Sequence, residues 1–139
     1  MERRDYIEKQ IDQLGEVLRA LFQKILKRKE SHDLPTVSEI QEYLQEDLGL
    51  TMETLSELQV KEIVPFLIKE KGYSDTNLEQ LATTIFLLTE GEIDLNRPND
   101  YVDLLKVEFA ILAYLSQTST DYSLARHMRI SSLKRLIVD

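Results

Sequence analysis

The sequence predicts an all-α fold: about six helices in a bundle of antiparallel helical hairpins, opened by a long N-terminal helix. Three observations carry this expectation. Apolar residues recur at helical spacing along the whole chain, and no segment alternates apolar and polar residues as a half-buried strand does. The 139 residues include only 4 Gly and 3 Pro, with many Leu, Ile, Glu and Lys, a composition that favours helix. Capping and stop residues fall at the ends of the periodic segments. The length suits one domain spanning residues 1–139, large enough to bury a core without staples.

The first helix is predicted over Ile7 to Lys29. Ile7, Ile11, Leu14, Leu18, Leu21 and Ile25 alternate spacings of four and three, a narrow seam with a period of about 3.5 residues. Phe22 and Leu26 widen it on one flank. Lys27, Arg28 and Lys29 suit the negative end of the helix dipole. Gly15 costs roughly 1 kcal/mol relative to Ala in a helix interior, and a small residue there is expected to let a neighbouring backbone come close. Pro35 then punctuates a polar break.

A second helix is predicted from about Thr36 to Leu48, with Val37, Ile40, Leu44 and Leu48 apolar and Gly49 placed to end it. Thr51 is a candidate cap for one short turn carrying Met52 and Leu55. The next helix is placed at roughly Val60 to Lys71, with a later start or a bend expected at Pro65. Gly72 ends it, and Ser74 or Asp75 caps a helix reaching about Glu90. A further helix is expected from about Asp100 to Gln117, with Val102, Leu105, Phe109, Leu112 and Ala113 inward. The last runs from about Tyr122 to Ile137, with Leu124, Met128, Leu133 and Leu136 or Ile137 on one broad face. The tyrosines read as packing residues with wet hydroxyls.

Charge and composition exclude several functions. The net charge is −8, and residues 31–95 hold 14 acidic against 3 basic side chains. That acidic middle argues against nucleic-acid binding and against docking on anionic lipid. No run approaches the ~18 apolar residues of a membrane span. The N-terminus lacks the apolar region of a secretory signal. The absence of Cys removes disulfide and thiolate chemistry and suits a cytoplasmic protein.

The segments "RDYIEKQIDQLGEVLRALF", "EYLQEDLGL" and "LEQLATTIFLLTEGEI" are similar to an uncharacterised bacterial helical family with tetratricopeptide-like hairpins. The matching residues are Asp5, Tyr6, Ile7, Ile11, Gln13, Leu14, Gly15, Leu48, Gly49 and Leu50, and Asp12 departs conservatively from a Glu. The resemblance implies an all-α fold and no known activity. "LATTIFLLTEGEID" and "LLKVEFAILAYLSQ" loosely resemble one such hairpin, with small residues at Ala82, Gly91 and Ala110, but their connecting loop is too long for the standard unit.

No catalytic constellation is legible. There is no nucleophile elbow and no Gly-rich phosphate loop. His32 and His127 lie far apart and cannot supply a zinc set. A calcium loop from Glu92 through Asp94, Asn96, Pro98, Asp100 and Asp103 carries Arg97 where a Gly is needed and ends on Asp rather than Glu. "SLARHMRISSLKRLI" superficially resembles a DNA-reading helix-turn-helix, but Arg129 stands where a Gly is usual and the segment reads well as one helix. Arg126, Arg129, Lys134 and Arg135 are instead expected to pair with the acidic middle.

The reading that follows is a non-catalytic protein–protein interaction or scaffold domain, with no cofactor and no metal. Its partner is a protein, and a second copy of the chain is one candidate. The face Ile7, Ile11, Leu14, Leu18, Leu21 and Ile25 is expected to pack mostly inside the domain, against the helices at 36–48 and 60–71, with part of it available for self-association. Two alternatives are a carboxylate metal site or enzyme using residues 90–103, and a DNA-associated regulator acting through the basic C-terminal helix.

Overall fold

The computed structural model describes residues 2–93, 101–118 and 123–137, with side chains described outside residues 2–12 and 90–93. Seven helices pack together in it: α1 (Glu2–Glu30), α2 (Val37–Leu48), α3 (Met52–Glu57), α4 (Val60–Lys71), α5 (Asp75–Ile93), α6 (Val102–Thr118) and α7 (Leu124–Ile137). Among the described residues there is no strand. None of the described helices is long and apolar enough to cross a membrane.

Local chemistry sets the helix ends. Thr36 caps α2: the Glu39 backbone N–H donates to Thr36 Oγ1 at 3.2 Å, and the Thr36 N–H donates to the Glu39 carboxylate at 3.3 Å. Thr51 accepts from the Thr54 N–H and starts α3, a separate helix where one turn was expected. Ser74 and Asn77 form a reciprocal cap on α5, which continues to Ile93, beyond the expected end near Glu90. Gly49 and Gly72 close α2 and α4 at φ 66° and 71°, the left-handed region that glycine enters without steric cost.

Pro65 neither delays nor ends α4, which begins at Val60. Glu62 holds that early start by accepting from the Gln59 backbone N–H at 2.9 Å. Pro65 itself is exposed, so its ring displaces no core packing.

α6 is the centre of the bundle, touching α3, α4, α5 and α7. Its buried residues are Leu104, Leu105, Val107, Glu108, Ala110, Ile111 and Leu115. Of the five expected to point inward only Leu105 is fully buried; Val102, Phe109, Leu112 and Ala113 are half-buried. A helix apolar on nearly every side gives periodicity little to select, and its neighbours choose the face.

α1 packs chiefly along α5, with a smaller contact to α2. The expected contact with the helix at 36–48 is present but minor, and α5 takes the main face in place of the helix at 60–71. The basic end of α1 makes a polar seam with α2. Arg28 bonds Glu39 and Tyr43, and Lys24 lies 3.6 Å from Asp47 and over the Tyr43 ring. With charge satisfying that contact, the apolar stripe of α1 is left for α5.

Leu18, Leu21 and Ile25 are buried in the core, and Leu14 is half-buried. The side chains of Ile7 and Ile11 lie outside the described residues. Tyr6 and Tyr122 lie there too. Tyr43 and Tyr114 have hydrogen-bonded hydroxyls, but the Tyr73 hydroxyl is buried without a partner, so the expected wet hydroxyl is wrong at that position.

Gly15 lies against the side chains of Asn77 and Gln80, and a Cβ built on it would stand 3.6 Å from both, at ordinary contact distance. No close backbone approach requires glycine there. Gly15→Ala should therefore stabilise the fold by about 0.5–1 kcal/mol through helix propensity, read as a rise in the urea midpoint.

Arg28 and the Thr36 N–H hold the Glu39 carboxyl below its ordinary value. Such a group stabilises the fold above the unfolded carboxyl's pKa, and the contribution fades as pH falls through the folded one. Acidification below pH ~4 should thus lower the melting temperature of the natural chain more than that of Glu39→Gln, as thermal melts across the acid range would show.

Candidate functional site

α5 buries most of its circumference. Asn77, Leu78, Leu81, Ala82, Thr84, Ile85, Leu88 and Thr89 all point into the protein. What remains outside is a strip three to four residues apart: Thr76, Glu79, Thr83 and Phe86. Phe86 is 39% exposed.

A cleft lies on each side of this strip. One, of about 300 Å³, is formed between α1 and α5 by Leu18, Arg19 and Phe22 facing Thr76, Gln80 and Thr84. The other, of about 330 Å³, is formed where α5 and α6 meet the start of α7, with Phe86, Leu112, Ser123, Arg126, Arg129 and Glu108 in its wall. Glu79 and Thr83 line both clefts and form the ridge between them.

The second cleft is built over a buried ion pair. Glu108 of α6 is 1% exposed. Arg129 of α7 donates from Nε and Nη2 to its two carboxylate oxygens at 2.8 and 2.9 Å, a bidentate fork. Nη2 also reaches Thr89 Oγ1 at 3.5 Å, and the guanidinium stands 4.6 Å from the Phe86 ring centroid. Burial pushes the Glu108 carboxyl up, and Arg129 opposes that rise. The expected pairing of the C-terminal basic cluster with the acidic middle is therefore corrected at Arg129: its partner is Glu108, outside residues 31–95.

Arg126 has no ion pair among the described residues, and neither do Arg19 and Glu79. Two of the threonine hydroxyls are occupied: Thr83 and Thr84 donate to the carbonyls of Glu79 and Gln80. Ser123 caps α7 by accepting from the Arg126 N–H. Each cleft thus offers apolar surface, one guanidinium without an ion pair among the described residues and the shared Glu79 carboxylate.

α7 is one unbroken helix, as read from the sequence. Its Leu124 and Met128 are 61% and 60% exposed rather than turned inward. Leu133 alone anchors it fully, and the Arg129–Glu108 bond takes the place of a second apolar anchor.

Among the described residues, no group of three or more His, Cys, Asp and Glu is placed to hold a metal ion. His32 is exposed in the turn after α1. Of the possible calcium loop, the Glu92 side chain and Asp94, Asn96, Pro98 and Asp100 lie outside the described residues, while Asp103 sits 3.8 Å from Lys106.

Sequence reading missed Glu108 and the strip on α5. One signal was present: Glu108 and Lys106 are the two charges in the otherwise apolar run Leu104–Leu115, and Glu108 is the one that α6 buries. A charge in a helix apolar on every side calls for a buried partner. No family model, no curated protein and no solved structure matches the chain.

Breaking the pair from one side leaves a charge in the core. Arg129→Met should cost about 3–5 kcal/mol at neutral pH, and the double change Glu108→Met with Arg129→Met should recover much of it. Urea unfolding of the three variants checks this. The deficit of Arg129→Met should shrink as pH falls, because the carboxyl raised by burial takes up a proton and no longer needs a counter-charge.

Proposed function

We propose that this chain is a non-catalytic protein-interaction or scaffold module of the cytoplasm, in keeping with the bacterial helical family that its segments resemble. The observation that carries the reading is the uncovered strip of α5, which separates two adjoining clefts through Glu79 and Thr83 and exposes Phe86 in the wall of the second. An aromatic residue on a concave, half-apolar helical surface is a characteristic anchor of protein interfaces. Leu21 and Ile25, in the buried half of the N-terminal seam, support the bundle and are not available to a partner, while Leu18 lines the first cleft. The reading therefore moves the interaction surface from α1 alone to the groove that α1 shares with α5 and α7.

The chemistry of the groove supports binding rather than turnover. Glu108 has both oxygens committed to Arg129, and the Thr83 and Thr84 hydroxyls are bonded to their own helix. None of these groups is arranged as a nucleophile with a base.

A photo-crosslinking residue at position 86, introduced into the chain in its native cells, should trap one discrete protein. The same residue at exposed position 53 on α3 should not. Equal trapping at the two positions, or none at 86, would reject the groove as the interaction surface.

A further inference from the structure

We propose that the groove receives an amphipathic helix with two apolar anchors two turns apart, a basic residue between them and acidic residues outside them. The inference rests on the interaction reading above and specifies the chemistry of the partner.

The spacing comes from the two clefts. They lie on opposite sides of α5 and share the ridge of Glu79 and Thr83. Packed helices stand about 8–10 Å apart, so the distance across one helix is of that order. A helix advances about 10.5 Å in seven residues. Residues i and i+7 of a helix crossing α5 therefore reach one cleft each, one beside Phe22 and the other beside Phe86. This is the helix-in-groove mode of recognition.

The charge pattern comes from three side chains without ion-pair partners among the described residues. Arg19 stands in the α1 wall, Glu79 on the ridge and Arg126 in the α7 wall. Across the groove the order is positive, negative, positive. The complement is acidic, basic, acidic, with the apolar anchors between. Arg129 adds no free charge, because Glu108 neutralises it. The chain as a whole carries −8, so an acidic ligand is repelled from most of its surface and favoured over these arginines.

The test is a fluorescently labelled helical peptide of about 18 residues with this pattern, titrated into the full chain by anisotropy. Saturable binding is expected, weakened on the order of tenfold by Arg19→Glu and by Arg126→Glu, and restored to the double variant by a charge-swapped peptide carrying Lys for both outer Glu residues. Phe86→Ala should weaken both peptides while leaving the circular dichroism spectrum unchanged. Absence of saturable binding would overturn the proposal, as would equal binding of the charge-swapped peptide to the natural chain. So would a dimer of the natural chain that Phe86→Ala dissociates, because the occupant would then be a second copy. A discrete crosslink at position 86 with no peptide binding would reject this partner chemistry alone; loss of both would reject the interaction surface as well.

Discussion

The bidentate bond between Glu108 and Arg129 decides how the C-terminal third of the protein is arranged. α6 is touched by four neighbours, and Glu108 stands on a side of it that water does not reach. The cost of burying that charge is offset only when a cation comes to it with the right geometry. Arg129 does so from α7, and its reach fixes where α7 lies against α5 and α6. Leu133 is the one fully buried apolar residue of that helix. The position of α7 thus depends on one ion pair and one leucine, with half-buried Leu136 and Ile137 adding to the contact.

That placement creates the groove. Had α7 turned Leu124 and Met128 inward, as its spacing suggested, it would have been rotated about its axis relative to α5. The Arg129 bond turns the helix so that Arg129 and Arg126 line a cleft and the two large apolar side chains face solvent. On the other side, α1 approaches α5 through Leu18 and Phe22. Between the two walls α5 keeps one narrow strip uncovered. Phe86 lies on that strip, with the Arg129 guanidinium beside its ring.

Much of the local structure was legible because its causes are local. Thr36, Thr51 and Ser74 accept bonds from backbone groups three residues away, so their capping roles show in a few residues of sequence. Gly49 and Gly72 end helices because the left-handed turn is cheap only for glycine. The start of α4 was harder, since Pro65 pointed to a later one while Glu62 supplied a hydrogen bond for the earlier. The inward face of α6 was misread for the opposite reason: too many positions were apolar, and spacing alone could not rank them.

The candidate site was scarcely legible. Glu108, Arg129 and Thr89 come from three helices, and nothing in their spacing along the chain announces that they meet. Gly15 suggested a tight backbone approach, whereas its neighbours are two flexible side chains at ordinary distance. The sequence by itself determined the helical class and most helix boundaries, because periodicity and capping act within a few residues. Only the tertiary structure decided which helix α1 covers, which face α7 presents and which strip of α5 is left open. Those choices follow from competition among apolar faces for the same core and from the need of one buried carboxylate for one arginine, and both act between residues distant in the chain.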